Sequence, residues 1–271
     1  MKYIDEIKQK LSDYKKEKFP ELDDGIWKKN KQRYSHIIPE SERYYNLLPA
    51  YRDNLVKYIE TQNVKLHIDF HHLNSSQAMC LNFFYPLITE KRLDIILDLL
   101  NLYGETVDYS TVCFEKDGIE KSYRGRPTSF DFYLETKSGK KLYFEIKYTE
   151  SEFGKAKNDK EHIEKFEEIY SGLLNPIREE FHSKDRFFEN YQILRNLIHL
   201  TENSFVIFLY PNNNLKIKNQ AENAKMSMLK NDFKDNFYPI TWEEIYKKVT
   251  DNSEGNRLSI QLFDFKEKYL R

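Results

Sequence analysis

Residues 129–148 limit the possible folds more than any other stretch, because hydrophobicity in Ser129–Glu135 and again in Lys141–Tyr148 repeats at every second residue. That period belongs to strands and not to a helix. Phe130, Phe132 and Leu134 fall on one face of the first strand, with Asp131, Tyr133 and Glu135 on the other. In the second, Leu142, Phe144, Ile146 and Tyr148 form the apolar face, opposite Tyr143, Glu145 and Lys147. Lys137-Ser138-Gly139 between them reads as a three-residue hairpin loop with glycine in its left-handed position. Such a loop pairs Thr136 with Lys140. Counting outward, Asp131 then lies directly against Glu145, with Cβ atoms about 4.5–5.5 Å apart. A two-residue turn would instead set Asp131 against Ile146, on the wrong face.

The surrounding pattern predicts how this hairpin is housed. Ile4, Ile7, Leu11 and Tyr14 have helical spacing over residues 1–17, and residues 40–61 repeat it less regularly, with a polar, basic connection from Trp27 to Ser35 between them. Ser75 or Ser76 can cap a helix through Met79, Leu81, Phe83 and Phe84, bent at Pro86 and continued over Arg92–Tyr103. Thr106–Phe114 reads as a strand ahead of the hairpin. Helical segments follow at 159–171 and 187–200, then a continuous apolar strand, Phe205–Tyr210, a helix around 219–230, a short strand near 237–240, and helices after Thr241 and Asn256. The order α-β-β-β-α-β predicts an α/β fold. Its mixed sheet of four to five strands is flanked by helices, with residues 1–62 as a helical extension packed on a 63–271 core. With 20 Tyr and 19 Phe, aromatic rings must supply much of the buried surface.

Two carboxylates forced together call for a counter-charge. Hard oxygen ligands from Asp131 and Glu145, with the Ile146 carbonyl, suit Mg²⁺, with Mn²⁺ as a substitute; Mg²⁺ keeps several waters that a phosphate can replace. Lys147, two residues along the same strand, would add positive charge beside a reacting phosphate and orient or deprotonate the attacking water. The alternative is an exposed cross-strand cluster in which Lys147 merely neutralises the acids.

Pro127, Asp131, Glu145 and Lys147 in this setting resemble the motif of the PD-(D/E)xK nuclease superfamily, although Pro127 is not adjacent to the acid. More narrowly, His67–Pro86 and the run EIKYTESEFG from Glu145 to Gly154 resemble a group of bacterial restriction-endonuclease-like proteins, and the likeness extends from about Gly25 to Tyr210. The resemblance implies a restriction-endonuclease-like core, Mg²⁺-dependent hydrolysis of DNA phosphodiesters, and Asp131, Glu145 and Lys147 as the catalytic set. Many members of the superfamily add an acid from the first core helix. Here that helix offers Ser76 and Gln77 instead, either to hold a water or the scissile phosphate or as a plain helix start. Glu150 could reach a second cation or pair with Lys155. Gln192, Arg195 and His199 share one stripe of a helix, from which Arg195 could meet a phosphate or simply face solvent. Arg124 and Arg126, with Lys121, lead into the Asp131 strand as a phosphate-contacting loop or as ordinary solvated charge.

Other classes lose support. Forty-three Lys and Arg against 44 Asp and Glu leave a net charge of −1, so a polyanion must be met by a local patch. No apolar run approaches the length of a membrane span, and a cytoplasmic protein is expected. Cys80 and Cys113 form no CxxC pair. No glycine pattern suits a nucleotide cofactor, and no GxSxG elbow occurs. His67, Asp69, His71 and His72 have the look of a metal cluster, the sharp version being a zinc or histidine-metal enzyme. The expectation is therefore a metal-dependent DNA endonuclease, with a homodimer suited to cutting two strands. The competing reading is a catalytically silent module that binds nucleic acid or a protein partner.

Overall fold

The computed structural model describes residues 2–119, 127–253 and 256–270. By its internal contacts the chain forms two units, Met1–Tyr103 with Trp242–Arg271, and Gly104–Thr241. The boundary expected at 62/63 falls inside the first unit.

The first unit is mostly helical. Helix α1 (Tyr3–Lys18) follows the predicted span, with Ile7 and Leu11 buried. The basic connection after it is more ordered than its polarity suggests, since Gly25–Ile26 (β1) and Arg33–Tyr34 (β2) pair antiparallel as a small hairpin. The irregular periodicity of residues 40–61 has a structural cause: a 3₁₀ segment, Glu40–Asn46, is separated from α2 (Arg52–Thr61) by an extended turn around Pro49. Helix α3 (Ser76–Thr89) starts where expected, with the Ser75 hydroxyl accepting from the Ala78 N–H. It carries Pro86 in its last turn and ends before Lys91, whose φ of 55° separates it from α4 (Asp94–Leu99).

The second unit is a five-stranded mixed sheet in the order β3-β4-β5-β6-β7. Its strands are Val107–Asp117, Ser129–Thr136, Lys141–Ile146, Ser204–Tyr210 and Phe237–Thr241. The first three are antiparallel; β5 to β6 and β6 to β7 are parallel. A parallel step needs a long crossover, and helices α5 (Lys160–Glu168), α6 (Lys184–Glu189) and α7 (Tyr191–Leu197) supply the first. The second is made by α8 (Leu215–Asn223), which runs into one π turn, Ala224–Met228. Every residue of β6 is buried, as a central strand covered on both faces requires. On one face Tyr143, Val206 and Phe208 pack with Phe187, Leu194 and Leu197 of the crossover helices. The chain then returns to the first unit through α9 (Trp242–Asp251) and α10 (Asn256–Tyr269).

One strand departs from the simple alternation. Phe130 does not stay with Phe132: its ring lies 4.8 Å from both the Tyr143 and His199 rings, on the face of Tyr133, whereas Phe132 stacks with Phe114 and Phe144. The cause is in the neighbouring strand, where Glu115 takes φ 55° and the regular β3–β4 pairing skips Glu115 and Asp131. Both sheet edges are irregular or interrupted, β3 by a shift between Asp108 and Cys113 and β7 by Pro239, which discourages edge-to-edge association.

Within the first unit, Lys268 is buried without a carboxylate partner. Its Nζ donates to the carbonyl and Oδ1 of Asn46, each at 2.6 Å, and burial, reinforced by Arg52, holds its pKa well below the usual lysine value. Asn82 completes this network by donating to the Asn46 carbonyl and the Tyr269 hydroxyl, so that polar bonds tie α3 and α10 to the 3₁₀ segment. No described helix is long and apolar enough to cross a membrane.

Two buried histidines make the first unit acid-sensitive. Burial pushes His36 down to about 4, helped by Lys8 and His72; burial does the same for His72, helped by His71 and Lys8 and opposed by Asp69. The unfolded chain takes up protons near pH 6.5, where the folded unit still refuses them. Stability is therefore complete above pH 6.5 and declines as pH falls from there toward 4. Melting temperatures across that range should drop, and His36→Gln/His72→Gln should flatten the decline; a double variant whose profile parallels that of the parent would remove the histidines as its cause.

Candidate active site

The expected turn sets the register. Gly139 has φ 89°, its N–H donates to the Thr136 carbonyl, and the Thr136 N–H donates to the Lys140 carbonyl at 2.9 Å. Glu135 pairs with Lys141, Leu134 with Leu142, Tyr133 with Tyr143 and Phe132 with Phe144. One step further, this register puts Asp131 across from Glu145, but there the regular ladder stops. Odd-numbered N–H groups of β5, such as those of Lys141 and Lys147, point to β6. The Ile146 N–H therefore points to β4, and it is taken at 2.6 Å by Oδ2 of Asp131. A side-chain carboxylate replaces a ladder carbonyl, which is what holds it in the gap between the strands.

Lys147 and Glu145 are joined by a 2.8 Å ion pair and are each 5% exposed. The reading of an exposed, solvated cluster does not survive, because the face that carries Tyr143, Glu145 and Lys147 is covered by the crossover helices. Burial pushes the Asp131 carboxyl well above the usual aspartate value, and the charges of Glu145 and Glu115 push it further; the Ile146 N–H and Lys147 oppose this only in part. For Lys147 burial acts downward, but Glu145, Glu150 and Asp131 outweigh it, and its pKa is raised. The raised pKa favours the ammonium form, which can donate hydrogen bonds and stabilise negative charge.

A closed chain of contacts fixes this ion pair. Gln192 Nε2 donates to the same Glu145 Oε1 that Lys147 holds, at 2.8 Å. At its other end, Gln192 Oε1 accepts from the Gly154 N–H at 3.0 Å, and the Gln192 N–H donates to the Gly154 carbonyl. Phe153, next in chain, places its ring 5.1 Å from Lys147 Nζ and stacks on Phe208. Gln220 accepts from the Phe153 N–H, and Asn214 donates to the carbonyls of Tyr148 and Glu150. Three amide side chains from two helical segments thus pin the strap that follows Lys147. Phe153, Gln220 and Asn214 were not foreseen. Only the run EIKYTESEFG hinted that the strap matters, and an amide far away in sequence carries no local signature.

The remaining candidates separate. Glu150 makes no ion pair with Lys155 among the described residues; its Oε2 accepts from the Tyr148 N–H at 2.6 Å, and its charge acts on Lys147. Arg195 lies over the rings of Tyr191 and Tyr170, at 5.0 and 5.9 Å, with a buried Nε that has no hydrogen-bond partner. His199 is buried, and its Nε2 accepts from the Ile119 N–H at 2.9 Å. Ser76 and Gln77 belong to the first unit. Ser76 opens α3, and Gln77 donates to the Lys65 carbonyl and accepts from the His67 N–H. Arg124 and Arg126 lie outside the described residues.

Among the described residues no three His, Cys, Asp or Glu side chains group as a metal site, those of His67, Asp69, His71 and His72 included. His71 instead meets the Ile26 carbonyl, and Cys80 and Cys113 are free thiols. The donors left for a cation are the buried Glu145 carboxylate, the half-buried Asp131 carboxylate that it repels, and the Ile146 carbonyl. This all-oxygen set fits a small, hard divalent ion that keeps part of its water.

Over residues 8–270 the sequence matches the family described as Restriction Endonuclease associating with ARP. The chain belongs to that family. No curated protein and no solved structure gives a significant match. The family supports a restriction-endonuclease type of protein, and the paired strands carrying Asp131, Glu145 and Lys147 are where its fold concentrates reactive groups.

The two acids should respond oppositely to removal in the metal-free protein. Asp131→Asn relieves a buried like-charge contact and keeps an acceptor for Ile146, so stability should rise by on the order of 1 kcal/mol, about 2–4 °C in melting temperature. Glu145→Leu strands a buried ammonium and should cost about 3 kcal/mol or more. Thermal denaturation in a chelator compares them, and equal losses for both would contradict the charge arrangement.

Proposed function

We propose that this protein is a metal-dependent DNA endonuclease of the PD-(D/E)xK type. The observation that carries the reading is the meeting of half-buried Asp131 with the buried Glu145–Lys147 pair, on adjacent strands of a mixed sheet. Asp131, Glu145 and the Ile146 carbonyl would hold Mg²⁺, with Mn²⁺ as substitute. Bound there, the ion would supply Lewis acidity toward a phosphodiester oxygen and draw negative charge to the site.

The chain's own residues account for the rest. Lys147, kept protonated by its carboxylate neighbours, donates toward charge that grows on the phosphate as water attacks phosphorus and the opposite P–O bond breaks. Gln192 fixes the oxygen of Glu145 that Lys147 holds, so the carboxylate keeps one orientation. Phe153 covers the ammonium and limits its hydration, which strengthens its interaction with an anion. The half-buried Arg195 guanidinium, held over Tyr191 and Tyr170, is a further cation for the DNA backbone. Association with ARP, as the family description has it, belongs to the same proposal. So does a homodimer, since cutting two antiparallel strands asks for two related sites.

Incubation of purified protein with Mg²⁺ and a panel of plasmid, linear, branched and single-stranded DNA should give cleavage. Asp131→Ala and Glu145→Ala should abolish it. Lys147→Ala should lower kcat by about 10²–10³-fold, the typical effect of deleting one preorganised donor, with a much smaller effect on DNA affinity. Mg²⁺ should also raise the melting temperature of the wild-type chain and not that of Glu145→Ala. Binding of DNA with no Mg²⁺ effect and no cleavage of any form would favour the silent nucleic-acid-binding module.

A further inference from the structure

The β1–β2 hairpin is a feature that the cutting chemistry does not use. Lys28, Lys29, Lys31 and Arg33 fall close together, and no acidic residue lies between Gly25 and Pro39, in a chain whose net charge is −1. Lys29, Lys31 and Arg33 are exposed. Lys28 is paired with Glu40. Among the described residues the other three have no carboxylate partner: Lys29 lies over the Trp27 ring at 5.8 Å, and Arg33 Nη1 donates to the backbone carbonyl of Asp24.

The backbone of the tip is also pinned, so the positions that carry these charges stay close together. The Trp27 N–H donates to the Gln32 carbonyl and the Lys31 N–H to the Trp27 carbonyl, at 2.9 and 2.8 Å, with Lys31 at φ 62°. Asn30 accepts from the Gln32 N–H and donates to the Tyr34 hydroxyl, which in turn donates to Gln32 Oε1. The base is equally fixed. Gly25 approaches the Ile38 carbonyl so closely that a Cβ would come within 2.2 Å of its oxygen, and His71 meets the Ile26 carbonyl at 3.2 Å.

Holding three unneutralised cations on a rigid projection is unfavourable in the isolated protein and becomes favourable against a polyanion whose counterions they can displace. We propose that the β1–β2 hairpin is a sequence-independent docking surface for the phosphate backbone of duplex DNA, contacted by Lys29, Lys31 and Arg33. The choice of DNA rests on the substrate proposed above. Such contacts position a duplex without reading its bases. The backbone that carries the cations is already fixed, so only their side chains need ordering on binding.

The test uses the full chain in a chelator, titrated against a labelled duplex over a series of salt concentrations. Each phosphate contact contributes a slope of about 0.9 to the dependence of log affinity on log salt. Lys29→Gln/Lys31→Gln/Arg33→Gln should therefore lower that slope by about 2.7 and weaken binding at least tenfold at low salt, with an unchanged melting temperature. Lys2→Gln/Lys10→Gln/Lys16→Gln, which removes the same charge from exposed N-terminal lysines, should bind nearly as the parent does. A hairpin variant that binds like this control, or a parent chain that binds no DNA, overturns the docking surface. Hairpin-dependent binding without Mg²⁺-dependent cleavage would leave it standing while the nuclease reading fell. Cleavage with hairpin-independent binding would do the reverse.

Discussion

The three-residue turn at Lys137–Gly139 sets everything that follows. With Gly139 in the left-handed region, one register is available to β4 and β5, and that register brings two carboxylates face to face. Aromatic pairing holds it there: the Tyr133 and Tyr143 rings lie 4.9 Å apart, and Phe132 and Phe144 5.4 Å apart. Cross-strand pairs of this kind contribute roughly 0.2–1 kcal/mol each. A slip by one residue would turn both rings and both acids onto opposite faces, so the packing that stabilises the sheet also enforces the repulsion at its end.

That repulsion is tolerated because the acids are not alone. Lys147 and Gln192 both donate to Glu145, the Ile146 N–H donates to Asp131, and the strap carrying Phe153 closes over the ammonium. Buried charge survives when it is paired and hydrogen-bonded, and breaking one member leaves the rest uncompensated. The arrangement is therefore cooperative in the sense that one Glu145 oxygen serves two donors at once. It remains unbalanced at Asp131, whose carboxyl is raised by burial and by two other acids. A site with surplus acceptor oxygens and one electrostatically strained acid is suited to gaining a cation.

Much of this was legible in sequence because it is local. The hairpin, its loop, the faces of Tyr143, Glu145 and Lys147, and the order of strands and helices follow from period, turn residues and caps. Phe130 is the instructive failure: alternation assigns it to the face of Phe132, whereas beside the left-handed Glu115 of the facing strand it lies on the other. The spacing of residues 27–35 likewise reads as a connection, yet side-chain bonds from Asn30 and Tyr34 build a hairpin there. Neither a left-handed residue in a facing strand nor such a network has a hydrophobic period to betray it.

Sequence by itself determined which residues could share a strand face and which turn would join them, since both depend on neighbours a few positions apart. Tertiary structure decided that the polar face is buried, that Lys147 pairs with Glu145 beneath the crossover helices, that Gln192 reaches Glu145 across 47 positions, and that Gln77 bonds the Lys65 carbonyl in the first unit. Desolvation and contacts between distant segments exist only once helices have been laid on the sheet, and no local pattern encodes how much water they exclude.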